Sequence, residues 1–219
     1  MPFFRVSCGA TLAWLLLCVS VAVAEEAEVS ASAVADDAVT AAIAQPDKYD
    51  WAATGYVAWL SGDQFGDMLI FNASLSDNKI AVAALTRRIT TFRRDVDWEV
   101  EGQIGRHIGG DSDMDHWEVN ALTSLRWNRF SWDNSIDTSV AMGVGLSYAF
   151  EKPVFEIEEH DTTNRMLVYL LVELAFSIPK HPQWALVTRI HHRSSAYGTF
   201  EDDIEGASNS LGIGLQYRF

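Results

Sequence analysis

The sequence predicts an all-β protein, an eight-stranded antiparallel transmembrane β-barrel of the bacterial outer membrane. Apolar and polar residues alternate strictly over long stretches, and aromatic residues gather near the ends of those stretches. Beyond the N-terminal segment there is no apolar run long enough to form a spanning helix, which needs about 18 residues or more. The alternating stretches are about 11 to 15 residues long, whereas strands of soluble proteins average about 5–6 and tilted barrel strands need about 9–11.

The N-terminal 24 residues have the features of a secretory signal peptide. Arg5 supplies a positive charge, an apolar stretch follows, and Ala22-Val23-Ala24 is a small-residue cleavage site. Both cysteines, Cys8 and Cys18, lie within this segment. We therefore expect a mature chain without disulfides or thiolate metal sites.

The remainder of the chain divides into a lead-in and one domain. Residues 25–50 are rich in alanine and acidic residues, which predicts a flexible or weakly helical segment. Residues 51–219 carry the alternating pattern and form the predicted barrel. The chain has a formal net charge of −14 and no basic block, which argues against nucleic acid as a partner.

Residues 96–108 show the alternation most clearly. An apolar face and a polar face are separated residue by residue, and the same pattern recurs in 117–127 and 136–150. The apolar face of the first stretch consists of Val96, Trp98, Val100, Ile104 and Ile108. Its polar face consists of Asp97, Glu99, Glu101, Gln103 and His107. No other segment is available to cover so many apolar faces, so we expect them to contact lipid.

Counting strands backward from the C-terminus gives seven, and an eighth must precede them because both termini of such a barrel are periplasmic. The seven predicted strands span 208–219, 184–195, 163–178, 136–150, 115–127, 96–108 and 79–92. Residues 53–61 and 67–75 are the two candidates for the first strand. We favour 53–61, which makes 62–78 the first outer loop.

This count predicts the sides of the membrane on which the connections lie. Residues 109–115, 151–164 and 196–207 become outer loops, and the connections 93–95, 128–135 and 179–183 become periplasmic turns. The segment His191-His192-Arg193-Ser194 is then at the outer-leaflet end of the seventh strand.

Parity divides that segment between two environments. The face that carries Leu186 and Ile190 must contact lipid, so His192 and Ser194 point outward with it. The alternate residues point into the lumen, where we expect them to pair with acidic side chains of other strands. The cationic set is Arg189, His191 and Arg193, and the acidic set is Glu99, Glu101, Glu118 and Glu173.

His192 and Ser194 are the candidate chemical pair. An imidazole that accepts the proton of a serine hydroxyl makes the oxygen a nucleophile toward a carbonyl carbon. A third group must orient the imidazole, and two residues of the same parity are available near the start of the last strand. These are Asn209 and, if the strand begins four residues earlier, Glu205.

The sequence does not predict a metal site or a cofactor. His191 and His192 are adjacent in a strand and therefore point in opposite directions. Asp202, Asp203 and Glu205 could attract a divalent cation, but a solvated acidic loop is the favoured interpretation.

The end of the chain resembles the outer-membrane lipid A 3-O-deacylases (PagL type, acyloxyacyl-hydrolase-like). The match is His192-x-Ser194-x-Ala196 late in strand seven, followed by a loop and a final strand that ends the chain. The resemblance implies that His192 is the catalytic base and Ser194 the nucleophile. It also implies lipid A of lipopolysaccharide as the substrate, with no cofactor.

The chain departs from that family at several positions. The family has a glutamate at the start of the last strand, where this chain offers Asn209 or, four residues earlier, Glu205. An asparagine usually follows the serine near the oxyanion site, where this chain has Ser195. The Ser195 amide or hydroxyl and loop amides near Gly198 are the expected oxyanion donors. The chain is therefore identified as a divergent member.

Two hypotheses follow. The first is an outer-membrane esterase that removes an ester-linked (3-O) acyl chain from lipid A at the outer leaflet. The second is a non-enzymatic barrel that serves envelope integrity or surface interaction. The geometry of His192, Ser194 and their third partner distinguishes them, because a His192 that turned into the lumen would favour the second.

Overall fold

The computed structural model describes residues 49–70, 72–92, 95–109, 115–133, 135–160, 162–196 and 206–219. The predicted signal peptide and nearly all of the predicted lead-in lie outside these ranges. No helix among the described residues is long and apolar enough to cross a membrane.

Eight antiparallel strands close into a barrel in which each strand pairs with its neighbour in the chain and the last pairs with the first. The strands are β1 (Trp51–Ser61), β2 (Lys79–Phe92), β3 (Val96–Ile108), β4 (Trp117–Trp127), β5 (Asp137–Ala149), β6 (Met166–Ser177), β7 (Trp184–Ser194) and β8 (Ala207–Arg218). The predicted fold class is confirmed, and so is the choice of 53–61 as the first strand. The alternative, 67–75, overlaps a short helix, α1 (Phe65–Leu69), and none of its described residues belongs to a strand.

The barrel is apolar outside and polar inside, as the alternation predicts. On β3, Trp98, Val100 and Ile104 are exposed, while the intervening Glu99 and Glu101 are buried in the lumen. This polarity is the reverse of that of a soluble protein, and it fits a wall that contacts hydrocarbon. In an eight-stranded barrel the interior is just wide enough for side chains to fill it.

Paired charges fill the middle of the lumen. Arg189 lies 2.8 Å from Glu101 and 2.5 Å from Glu173, and Arg126 lies 2.9 Å from Glu99 and 2.7 Å from Glu173. The predicted pairing of inward-facing cations with acidic side chains is therefore confirmed. Buried charges need such partners, because an isolated one is strongly disfavoured away from water.

The connections β1–β2, β3–β4, β5–β6 and β7–β8 lie at one end of the barrel, here called the loop end, and the connections β2–β3, β4–β5 and β6–β7 lie at the other, the turn end. The connection between β5 and β6 contains a second helix, α2 (Val154–His160), that enters the barrel at the loop end. Phe155 packs in one buried cluster with lumen-facing apolar side chains of β1 and β2. Those side chains are Tyr56, Ala58, Leu60, Ile80 and Val82.

Glu156 of α2 is buried as well, although the sequence predicts an acidic outer loop here. Its carboxylate lies 3.4 Å from the Arg193 guanidinium and accepts a 2.8 Å hydrogen bond from the Ser208 hydroxyl. The Thr163 hydroxyl also donates to it. These partners, the Arg193 guanidinium and the two hydroxyls, allow the carboxylate to be buried at this end of the lumen.

Candidate active site

The candidate site lies on the outer face of β7 and β8 at the loop end. His192 and Asn209 are direct cross-strand partners in the register of these two strands. Directly opposed side chains on one face are close enough to interact, and here the His192 Nδ1 atom lies 2.6 Å from Asn209 Oδ1. The structure thus brings together the predicted base and one of its two predicted orienting residues.

The Asn209 amide is itself held in one orientation. Its Nδ2 group donates a 2.7 Å hydrogen bond to the backbone carbonyl of Asp63, which can only accept. The other end of the amide, Oδ1, must therefore face His192 and accept from it. It follows that the neutral imidazole carries its proton on Nδ1, which leaves the lone pair of Nε2 available as a base.

Ser194 shares the face of His192 and is half-buried. Among the described residues, no hydrogen bond joins its hydroxyl to the imidazole. Contacts of this kind are often long before a substrate is bound and shorten in the reacting complex. The strand places the nucleophile candidate beside the base candidate, two residues away on one surface.

The first loop covers this surface. Helix α1 packs against β7 and β8, and the Phe65 ring lies over the His192 imidazole with a centroid distance of 4.8 Å and a tilt of 44°. Met68 of α1 is fully buried, while Ile190 is only 5% and His192 only 8% exposed despite facing outward. His192 therefore lies on the outer face, as its parity predicts, but α1 covers it. The alternation of polar and apolar residues does not indicate this cover.

The residues after Ser194 continue the site. The Ser195 backbone N–H donates a 3.1 Å hydrogen bond to the Gly206 carbonyl, which leaves its hydroxyl as the possible oxyanion donor of this residue. Ala196 has a backbone φ of 46°, a left-handed conformation that costs a non-glycine residue free energy and is common near functional sites. The other predicted site residues, Gly198 and Glu205, lie outside the described residues.

The inward-facing neighbours of the site belong to a separate network. The His191 Nε2 atom lies 2.9 Å from Glu118, and its Nδ1 atom lies 3.0 Å from the Tyr56 hydroxyl. Arg193 lies 3.0 Å from Glu118. The consecutive residues of this segment thus serve two surfaces of the wall, as parity predicts.

Two groups of residues are not among the predicted site residues. Asp63 and Phe65 reach the site from the first loop, and no periodicity in that loop indicates it. His107, His116 and Glu118 form a buried cluster in the lumen whose donor atoms lie within 4.8 Å of one another. The register of the β3–β4 hairpin would have indicated this second cluster, because all three side chains have inward parity.

The comparisons with known proteins bear on the fold. No family model matches the chain, and no curated protein sequence matches it. Among solved structures, the outer membrane enzyme PagL has a TM-score of 0.54 at 7% identity, covering 77% of this chain and 99% of that one. Neisserial surface protein A has a TM-score of 0.47 at 12% identity, covering 77% of this chain and 97% of that one.

A third solved structure, Ail, the attachment invasion locus protein of Yersinia pestis, has a TM-score of 0.39 at 11% identity, covering 78% of this chain and 99% of that one. Identities this low carry no information about activity, and only the first of the three scores is high enough to support an argument about the fold. The chain therefore shares the eight-stranded barrel fold of a small outer-membrane protein.

Proposed function

We propose that this protein is an outer-membrane esterase that hydrolyses an ester-linked (3-O) acyl chain of lipid A. The observation that carries the proposal is the His192 imidazole held by Asn209 on the outward face, with Ser194 on the same face. A polar group on a lipid-facing wall is expensive unless it lies in the headgroup region or has a function. Residues 1–24 would direct export, and the loop end would face the outer leaflet, where lipid A is found.

The expected reaction begins with transfer of the Ser194 hydroxyl proton to His192 Nε2 as Oγ attacks the acyl carbonyl carbon. Asn209 Oδ1 accepts from Nδ1–H and so stabilises the imidazolium that forms. His192 then gives its proton to the departing sugar oxygen, leaving an acyl–serine ester. Water, deprotonated by His192, attacks that ester, and His192 returns the proton to Ser194 Oγ as the fatty acid is released; no cofactor is required.

An asparagine in the orienting position suits this scheme only if its oxygen faces the imidazole. An amide NH₂ directed at the ring would force the proton onto Nε2 and remove the base. The hydrogen bond from Asn209 Nδ2 to the Asp63 carbonyl prevents that orientation. A neutral amide stabilises the imidazolium less than a carboxylate would, so we expect slow turnover.

The position of α1 implies that substrate entry requires a local movement. Phe65 occupies the wall surface where an acyl chain would lie beside His192, and Met68 of the same helix is fully buried. Leu69 and Ile70 of the same segment are 41% and 70% exposed and are placed to contact lipid when α1 moves. Exchange of protein contacts for lipid contacts would offset the cost of opening.

The test is lipid A acylation in a bacterial host that lacks such an enzyme. Expression of the wild-type chain should remove one ester-linked acyl chain, measured by mass spectrometry of extracted lipid A. Ser194→Ala should leave lipid A unchanged at equal protein levels in the outer membrane. Thr188→Ala, on the same outward face of β7 but away from the site, is the matched control and should retain activity.

A second candidate is a non-enzymatic barrel with a role in envelope integrity or surface interaction. The burial of His192 under Phe65 favours it, because a cover that never opens would exclude any ester. The acylation of lipid A should be compared with and without the wild-type protein, both in cells and with the purified barrel in mixed micelles. If it is identical in both assays, the esterase is excluded and this candidate is left.

A further inference from the structure

Three side chains that can bind a metal ion lie together inside the barrel, whereas the candidate esterase site lies on the outer face of its wall. His107, His116 and Glu118 converge at the loop end of β3 and β4, with one donor atom from each within 4.8 Å of the others. All three side chains are buried, with exposed fractions of 6%, 5% and 0%. The esterase mechanism uses none of them.

The hairpin register explains why these residues meet. The His107 backbone N–H donates a 2.9 Å hydrogen bond to the His116 carbonyl, which continues the β3–β4 ladder beyond the last strand pair. The two rings are therefore cross-strand neighbours, and they stack with a centroid distance of 4.0 Å and an angle of 12°. Glu118 follows two residues later on the same face, with Oε2 at 2.9 Å from His107 Nε2.

We propose that His107, His116 and Glu118 bind a divalent transition-metal ion of the Zn²⁺ type. Two imidazoles and a carboxylate form a recurrent Zn²⁺ ligand set, whereas Mg²⁺ and Ca²⁺ prefer oxygen ligands alone. Bonds of about 2.0–2.1 Å in a tetrahedral site place ligand atoms roughly 3.3 Å apart. The two stacked rings must rotate about their side-chain bonds to direct both nitrogen lone pairs at one ion and to reach that spacing from the one observed.

Neighbouring side chains hold the Glu118 carboxylate in one orientation, as metal binding requires. Asn120 donates to Oε1 at 2.9 Å, and His191 lies 2.9 Å from the same oxygen. Arg193 lies 3.0 Å from Oε2 and is shared with Glu156. Partners of this kind orient ligating carboxylates in known metal sites.

Metal binding would change which ring nitrogen of His107 carries the proton. In the structure its Nε2–H donates to Glu118, since a carboxylate can only accept. The ion would displace that proton from Nε2, and the bound neutral imidazole would carry its single proton on Nδ1 instead. Arg193 neutralises one of the two nearby carboxylates, Glu118 and Glu156, so one negative charge is left to balance the ion.

A small cavity at the loop end borders the two imidazoles and gives the ion a further coordination position. His107 and His116 line it together with Lys79, Phe155 and Glu156. A site with three protein ligands and one side facing a cavity resembles open Zn²⁺ sites, in which water is the fourth ligand. The bound ion would fix the loop end of the β3–β4 hairpin beside α2.

The direct test is Zn²⁺ titration by calorimetry of the refolded, chelator-treated barrel without a histidine tag. The wild type should bind one ion, and His107→Gln or His116→Gln should weaken binding about 100-fold or more. His181→Gln, the same substitution at an exposed histidine of the turn end, should leave the affinity unchanged. Circular dichroism verifies that each variant folds.

Co²⁺ provides a measurement on the wild type that needs no folded variant. Co²⁺ held by two imidazoles and a carboxylate in a four-coordinate site gives intense visible d–d bands, and Zn²⁺, which has a filled d shell, should remove them by displacing it. The proposal is overturned if no saturable binding occurs, if His107→Gln and His116→Gln bind like the wild type, or if Co²⁺ gives only the weak bands of the hydrated ion.

Discussion

At the scale of residues, the proposed chemistry depends most on the Asn209 amide. Asn209→Leu removes the acceptor for His192 Nδ1–H and frees the imidazole to adopt the other tautomer. We expect kcat for lipid A deacylation to fall about 100-fold or more with little change in KM, because such a group acts in the transition state. Steady-state kinetics of the purified variant in mixed micelles measures this.

Glu205 is the alternative orienting residue, and the same assay separates the two. If Glu205 holds the imidazolium, Glu205→Gln should lower kcat strongly while Asn209→Leu lowers it less than about tenfold. That outcome would contradict the role given to Asn209. If the double variant has the same kcat as the slower of the two single variants, Glu205 and Asn209 act as one unit.

Arg189 makes a different prediction at the same scale, on stability. Its guanidinium pairs with Glu101 and Glu173 inside the lumen, and all three are buried. Arg189→Met leaves two carboxylates without this partner, so the free energy of unfolding should fall by about 3–5 kcal/mol. Urea unfolding from phospholipid vesicles, followed by tryptophan fluorescence, measures the change.

The matched control is Arg129→Met at an exposed ion pair near the turn end. Arg129 lies 3.5 Å from Asp95 and is well exposed to solvent. Its loss should cost no more than about 1 kcal/mol, the usual range for surface pairs. Equal costs at the two positions would show that the lumen charges are not held as the structure describes.

At the scale of elements, α1 covers His192 on the outer wall. Phe65→Ala removes the ring that covers the imidazole, so His192 should react faster with an imidazole-modifying reagent, by about threefold or more given its present burial. Activity on a dispersed short-chain ester should rise in parallel. Modification of His192 is followed by peptide mass spectrometry.

Ile70→Ala is the control for that experiment, because Ile70 follows α1 and is already 70% exposed. It should leave the modification rate unchanged. If Phe65→Ala also leaves the rate unchanged, α1 is not the element that shields the imidazole. If modification becomes faster without any activity appearing, the non-enzymatic candidate gains support.

The elements differ in how far the sequence predicts them. Strand β3 begins and ends where the alternation does, because each of its side chains faces either lipid or the packed lumen. The pairing of His192 with Asn209 follows from parity and hairpin register. Helices α1 and α2 have five and seven residues, too few for a recognisable period. Tertiary contacts of Phe65 and Glu156 fix them, and such contacts leave no local pattern.

At the scale of the whole molecule, the distribution of polarity determines where the barrel is stable. Val144 lies near the middle of β5 and is 51% exposed on the outer wall, whereas Phe150 lies at the loop end on the same face. A charge at the bilayer midplane costs about 2–4 kcal/mol, and one near the interface about 0–1 kcal/mol. Val144→Arg should therefore destabilise the barrel in vesicles far more than Phe150→Arg does.

The same two variants test whether the outer wall of the barrel contacts lipid. If the outer wall were covered by protein or water instead of lipid, depth along the strand would not matter, and both substitutions would cost similar amounts. Urea unfolding from vesicles gives both free energies, and folding in short-chain detergent micelles, where the apolar layer is thin and adaptable, should reduce the difference between them. A depth-dependent cost would place β5 across the hydrocarbon layer, with Val144 near its middle and Phe150 near its edge.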